Sequence, residues 1–215
     1  MKLYNLDHSP YATRVRMQIR KKHLDIELAP SPVPLRTDEF NARFPMGKLP
    51  VLELDDGGQI AESWTIMEYL EDVFPEPTLR PKDALAKAQM SMLARCADNH
   101  LGPGGLFPMF GMLVAGAGIS NADEMVAGLD NELARLQRLL VALPDFRWRS
   151  LHLGDIAMVP HIAYALLIAP AFGCSDTLAK FSGVNDWWEW VQSDAAVAET
   201  TAEMQAAFAA FAAKK

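Results

Sequence analysis

Lys48-Leu49-Pro50-Val51-Leu52-Glu53-Leu54-Asp55-Asp56-Gly57-Gly58-Gln59-Ile60-Ala61-Glu62-Ser63 is the stretch on which the fold turns. Residues 51–54 and 59–61 are short β-like runs. The Asp-Asp-Gly-Gly between them supplies the residues of a tight reversal, so the pair reads as an antiparallel hairpin. Pro50 stands directly before the first of these strands. X-Pro is the one kind of peptide bond whose cis form is readily accessible, and Leu49–Pro50 is a candidate. Ser63 then opens a run with Ile66, Met67, Tyr69, Leu70 and Val73, an apolar face on a helix capped by the serine.

Upstream, residues 2–6 form a short β-like segment. Residues 10–23 carry Val15, Met17 and Ile19 among basic residues, with Leu24 just beyond, an amphipathic helix. Pro10 suits its first turn, where an N–H is not needed. Residues 25–28 read as a second strand, and the three prolines of 30–34 as loop. The order is βαβ, loop, ββα. Downstream, Pro75-Glu76-Pro77 and Pro81 stop the helix and stiffen a linker. Beyond it no strand is expected. Residues 82–101, 121–143, 155–168, 184–192 and 195–213 read as helices, with Gly102-Pro103-Gly104-Gly105 breaking the first and Lys214-Lys215 a solvated end. The expected division is an α/β unit at 1–75, a linker at 76–81 and an all-α unit at 82–215. A βαβ-ββα unit of about 75 residues is too small for a deep core. One face of its sheet is therefore expected to pack on the helices.

Composition narrows the function. The chain has 215 residues, 50% hydrophobic and 22% charged, which is ordinary globular usage. Lys+Arg is 20 against Asp+Glu 27, a net charge of −7. That balance argues against a nucleic-acid partner and against polybasic attraction to a membrane. No run approaching about 20 apolar residues and no leader-like segment is read, so a cytoplasmic protein is expected. Two cysteines, Cys96 and Cys174, make neither a disulfide framework nor a zinc module. His100, His152 and His161 share no metal-ligand spacing, and no metal is expected. The glycines of 102–105 follow a helix and lack Gly-Lys-Ser/Thr, so they do not read as a phosphate loop.

The chemistry concentrates where the first strand meets the first helix, at His8-Ser9-Pro10-Tyr11-Ala12. A helix N-terminus stabilises negative charge there. Ser9-Pro10-Tyr11-Ala12 has the shape of a glutaredoxin Cys-Pro-Tyr-Cys loop without either cysteine, so disulfide exchange by the protein's own residues is excluded. A hydroxyl remains that can hydrogen-bond a thiolate brought in by a ligand. At the second helix start, Ser63 and free N–H groups suit a carboxylate, and Glu62 an α-amino group. Tyr4 reads as packing, Cys96 as a buried helix residue, and Trp187-Trp188-Glu189-Trp190 as packing of a late helix.

Taken together, strand–Ser-Pro–helix, Lys-Leu-Pro–strand, hairpin and Glu-Ser–helix resemble the cytosolic glutathione S-transferase superfamily over nearly the whole chain. The first-helix run Ser9-Pro10-Tyr11-Ala12-Thr13-Arg14-Val15-Arg16 is similar to the omega class with serine for cysteine, and to the zeta and tau classes. The resemblance implies a thioredoxin-like N-terminal domain and a homodimer using glutathione as cosubstrate. It implies Ser9 as the hydroxyl that activates the thiol, with Tyr11 as the second catalytic candidate. Leu49 before Pro50 would pair with the cysteinyl backbone, Lys48 approach the glycyl end, and Glu62 and Ser63 hold the γ-glutamyl group. The apolar electrophile would lie between the domains, against Tyr11, Phe107, Met109 and Phe110, with Met90 and Met92 upstream and the glycine-containing stretches 102–105 and 116–118 letting the segment move. Isomerisation, dehalogenation, ether cleavage and a non-catalytic binding module are the alternative outcomes of the same fold. Two departures stand out: Phe44-Pro45 replaces Asn-Pro, and His152 occupies the usual Ser/Thr cap before Asp155.

Overall fold

The computed structural model describes residues 1–115, 119 and 121–213. Gly116, Gly118 and the terminal Lys214-Lys215 lie outside these. The first part runs β1 (Lys2–Tyr4), α1 (Pro10–Lys21), β2 (Glu27–Ala29), α2 (Asp38–Arg43), β3 (Val51–Glu53), β4 (Gln59–Ala61) and α3 (Ser63–Val73). The sheet order is β2-β1-β3-β4, with β2 parallel to β1 and the other pairs antiparallel. The hairpin forms as read. Asp56 accepts from the Gly58 N–H at 2.9 Å, and Gly57 takes φ +86°, where a side chain would be strained.

Alternation along the strands sends neighbours to opposite faces. Leu3 and Leu52, both fully buried, join α1, α3 and the helical half in one core. Tyr4 and Val51 point the other way and are covered by Phe40 and Phe44. Phe40 belongs to α2, a helix that the order βαβ, loop, ββα does not contain. Its signal was nevertheless present: Thr37 accepts from Phe40 N at 3.1 Å as N-cap, with Asp38 and Glu39 in the first turn.

The second part holds helices and, among its described residues, no strand: α4 (Ala84–Cys96), α5 (Phe107–Ala115), α6 (Ala122–Ala142), α7 (Leu153–Ile168), α8 (Ser182–Gln192) and α9 (Ala195–Ala212). Gly102-Pro103-Gly104-Gly105 does not break the chain out of helix. Ala97–Leu106 continues instead in wider π turns. The linker is held down. Leu79 is buried, its N–H donates to Glu71 at 2.7 Å, and its carbonyl accepts from Leu153 N at 2.9 Å. Lys22 and Glu71, both buried, pair beneath it at 2.9 Å.

α7 is the central strut. Leu153–Phe172 is long and apolar enough to match a membrane span, contrary to the sequence reading, and 78% of its 18-residue window is buried inside the protein. Its start is fixed by a capping box in which His152 takes the place of Ser or Thr. Its Nδ1 accepts from Asp155 N at 3.3 Å, and Asp155 accepts from His152 N at 3.0 Å. Asp155 is fully buried and also receives Arg149 at 2.5 and 2.8 Å and the Trp187 indole N–H at 3.0 Å. A Cβ on Gly154 would stand inside van der Waals distance of the Met90 carbonyl oxygen in α4. Gly154→Ala is therefore expected to destabilise by about 1–3 kcal/mol through overpacking of α4 against α7. Denaturant melts check this; an unchanged midpoint would mean that the two helices separate without penalty.

Candidate active site

Ser9 is the N-cap of α1, in extended backbone (φ −75°, ψ 127°), and its Oγ accepts from Ala12 N at 3.4 Å. Accepting that bond leaves the hydroxyl hydrogen available to donate. The first turn of α1 holds no acidic residue to compete with an anion. The loop is fixed from behind: the Tyr164 hydroxyl on α7 donates to the His8 carbonyl at 2.5 Å.

Two clefts meet at this loop. The first, about 350 Å³, brings together Lys48, Leu49, Pro50, Glu62, Ser63 and Tyr11. Leu49–Pro50 is cis. Ser63 is not the cap that the sequence suggested. It is the first residue of α3 and buried, while the N-cap position is Glu62, which makes no side-chain cap bond. The Ser63 hydroxyl and the free N–H groups of the first turn are thus not used up by capping. Glu62 holds φ +66°. A non-glycine residue in the left-handed region costs about 1–3 kcal/mol and marks sites where geometry serves function.

The helical half adds Arg95 and Asp98 to this cleft, residues that sequence reading missed. Asp98 receives a two-pronged pair from the fully buried Arg14 at 3.2 and 2.6 Å, and Arg95 at 2.8 Å. Burial pushes its carboxyl up, but the Arg14 charge and hydrogen bonds outweigh this and hold it below the usual carboxylate range. The Tyr11 ring lies 5.0 Å from the Arg14 guanidinium and edge-on to the buried His161, 5.5 Å away. Burial and then the Arg14 charge push the His161 imidazole down to about 3, so it is neutral at pH 7. Burial raises the Tyr11 phenol, keeping its proton in place as a donor. Arg14 on an amphipathic helix reads as solvent-facing; only its partner 84 residues away shows otherwise.

The second cleft, about 410 Å³, opens on the other side of the loop and is bordered by His8, Ser9, Tyr11, Phe107, Phe110 and Arg36, among others. Tyr11 borders both clefts, so the loop stands between them. Met109 does not line this cleft. One position along α5 from Phe110, it faces inward and is fully buried in the core. Met90 is likewise core and Met92 half exposed elsewhere; neither borders the cleft. Aromatic side chains from α7 and α9, Tyr164 and Phe211, complete the wall and were missed. Trp187 is core. Among the described residues, no group of three or more His, Cys, Asp or Glu side chains is placed to hold a metal. Burial pushes the Cys96 thiol up to about 11, which leaves it inert.

The sequence profile described as glutathione S-transferase, N-terminal domain, matches residues 3–78. Glutathione S-transferase Z1 of Arabidopsis thaliana is 38% identical over 176 residues, covering 77% of this chain and 77% of that protein. A probable glutathione transferase omega-2 of Caenorhabditis elegans is 33% identical over 94 residues, covering 43% of this chain and only 37% of that longer relative. Among solved structures, a glutathione S-transferase from Methylobacterium radiotolerans in complex with glutathione sulfonate superposes with a TM-score of 0.74. Its identity is 26%, and 93% of each chain is covered.

Proposed function

Because the chain belongs to the glutathione S-transferase family, we propose that it activates glutathione at the loop 8–11 and directs the thiolate at an electrophilic carbon. The observation that carries this reading is that one loop borders both clefts. A cosubstrate in the first would present its sulfur beside the Ser9 hydroxyl, facing a substrate in the second. Lys48 and the Ser63 helix start suit the two carboxylates of glutathione, and Glu62 its ammonium group. Leu49 offers its backbone to the cysteinyl unit. Tyr11, kept protonated, is the second donor. The aromatic side chains at 107 and 110 suit an apolar electrophile. Positioning and hydrogen bonding then do the work, with no metal called for. Residues 1–75 would supply the glutathione half of the site and residues 82–215 the electrophile wall, joined through 76–81. The working form is proposed to be a cytoplasmic homodimer.

Calorimetry and an aryl halide assay test the reading. Native protein is expected to bind glutathione and consume it with the halide. Ser63→Ala, which removes a donor to a carboxylate, is expected to weaken glutathione binding by about tenfold or more while leaving the melting midpoint nearly unchanged. Native protein that neither binds nor consumes glutathione would leave only a binding module of this fold. Glutathione returned unchanged after turnover would indicate isomerisation.

A further inference from the structure

The second cleft is not uniformly apolar. Phe107, Phe110, Tyr164 and Phe211 line one part of it, while Arg36 borders it from the loop before α2. The arginines beside Tyr11 and the first cleft are already engaged by a carboxylate: Arg14 and Arg95 both pair with Asp98. Arg36 makes no hydrogen bond or ion pair among the described residues, and it is exposed. Among the described residues, the other basic side chain on this cleft is His8. Burial lowers its imidazole, and it stacks on Phe211 with ring centroids 4.4 Å apart. Among the described residues, no Asp or Glu borders the cleft to neutralise the guanidinium.

The backbone of Arg36 adds a second observation. It holds φ +62°, the left-handed region that glycine occupies without penalty and a long side chain does not. A strained residue at a cleft mouth, carrying an unpaired fixed charge, points to a retained purpose for the side chain. A guanidinium presents parallel N–H donors that match a carboxylate. Ser9, where the thiolate forms under the reading above, borders the same cleft.

We propose that the second cleft selects an electrophile carrying a carboxylate, its apolar or aromatic body against Phe107 and Phe110 and its anionic end on Arg36. Arg36 is thus a specificity residue for the electrophile and not for glutathione. This rests on the transferase reading, since the anion is placed relative to a sulfur held at Ser9.

Binding of S-substituted glutathiones separates the two. S-benzylglutathione is compared with its meta- and para-carboxybenzyl and carbamoylbenzyl counterparts by calorimetry. In native protein at least one carboxybenzyl isomer is expected to bind about tenfold tighter than its carbamoyl isostere, a difference of about 1.4 kcal/mol. Arg36→Gln and Arg36→Gly are expected to erase that preference while leaving S-benzylglutathione within about twofold. Arg36→Gly is also expected to keep or raise the melting midpoint, because glycine relieves the backbone. Equal affinity of native protein for acid and amide overturns the proposal. So does a parallel loss of every conjugate in the variants, which would assign Arg36 to the glutathione moiety. Native protein that binds no conjugate at all sinks the transferase reading, and the proposal with it.

Discussion

Ser9→Ala is expected to lower kcat/KM for glutathione conjugation by about 100- to 1000-fold, the usual cost of deleting one donor to a developing or bound anion. Glutathione affinity should change by no more than about threefold, because Lys48, Leu49, Glu62 and Ser63 lie in the other cleft wall and keep their places. A free thiol titrates near about 8.5 and is mostly protonated at pH 7. In the proposed role, the Ser9 hydroxyl and the N-terminus of α1 would favour its anion, so losing the hydroxyl is expected to raise the pKa of the bound thiol. The alkaline-going limb of the pH–rate profile is then expected to move to higher pH in Ser9→Ala. Capping must be separated from catalysis, since Ser9 Oγ also accepts from Ala12 N. Alanine at an N-cap costs about 1 kcal/mol of stability and glycine only a few tenths. Ser9→Ala and Ser9→Gly should therefore share the kinetic loss while differing in melting midpoint. Tyr11→Phe is the companion measurement. Full rate in both Ser9 variants together with a collapsed rate in Tyr11→Phe would transfer the thiolate's partner to Tyr11.

Asp155→Asn should be among the most destabilising single changes, about 3–5 kcal/mol. That is a large part of the 5–15 kcal/mol typical of a folded domain. The carboxylate is fully buried with Arg149, the Trp187 indole and the His152 N–H all aimed at it. The amide has one acceptor oxygen where the carboxylate has two, and it leaves Arg149 facing an NH₂ group. In the native protein burial pushes the carboxyl up, but the hydrogen bonds and charge of Arg149, with hydrogen bonding from His152, more than reverse this and hold it well below the usual range. Its folded pKa is thus depressed relative to about 3.9 in the unfolded chain. The stabilisation it gives is complete above that value and declines as pH falls through it toward the folded pKa. Urea melts at pH 7 and at about pH 3 check both points. The native protein is expected to lose stability on acidification, and Asp155→Asn to lose less. Equal acid sensitivity would show that other carboxylates dominate.

The parts of the fold that were legible in the sequence are those written locally. The Asp-Asp-Gly-Gly reversal, Pro10 at the head of α1, and the apolar spacing of 66, 67 and 70 all rest on near neighbours. Helix α2 was missed because three prolines at 30, 32 and 34 dominate the composition of its approach, although Thr37-Asp38-Glu39 announces it. The π turns at Ala97–Leu106 were missed for the opposite reason. Glycine and proline there suggest a break, whereas packing against α6 and α7 keeps the chain wound. His152 looked like a defective cap, yet an imidazole nitrogen accepts as an oxygen does. In the site, the residues on the two helix starts were readable because a helix start has its own signature. Arg14, Asp98, Arg36 and Tyr164 were not, since each owes its role to a partner far along the chain or to a cleft that only the fold creates. Met109 failed for a finer reason: apolar character does not say which side of α5 a residue occupies.

The hydrogen bond from Tyr164 to the His8 carbonyl joins the middle of α7 to the loop that carries Ser9. With Lys22 and Glu71 buried under the linker and Leu3 and Leu52 sharing a core with the helices, it makes the two halves poor candidates for modular exchange. A hybrid that grafts a foreign helical half onto residues 1–75 inherits the loop at 8–11 without the hydroxyl that bonds to it from α7. Recombination between relatives would succeed where the incoming helix offers a hydroxyl at that level. In evolutionary terms, position 164 and the loop at 8–11 would then travel together.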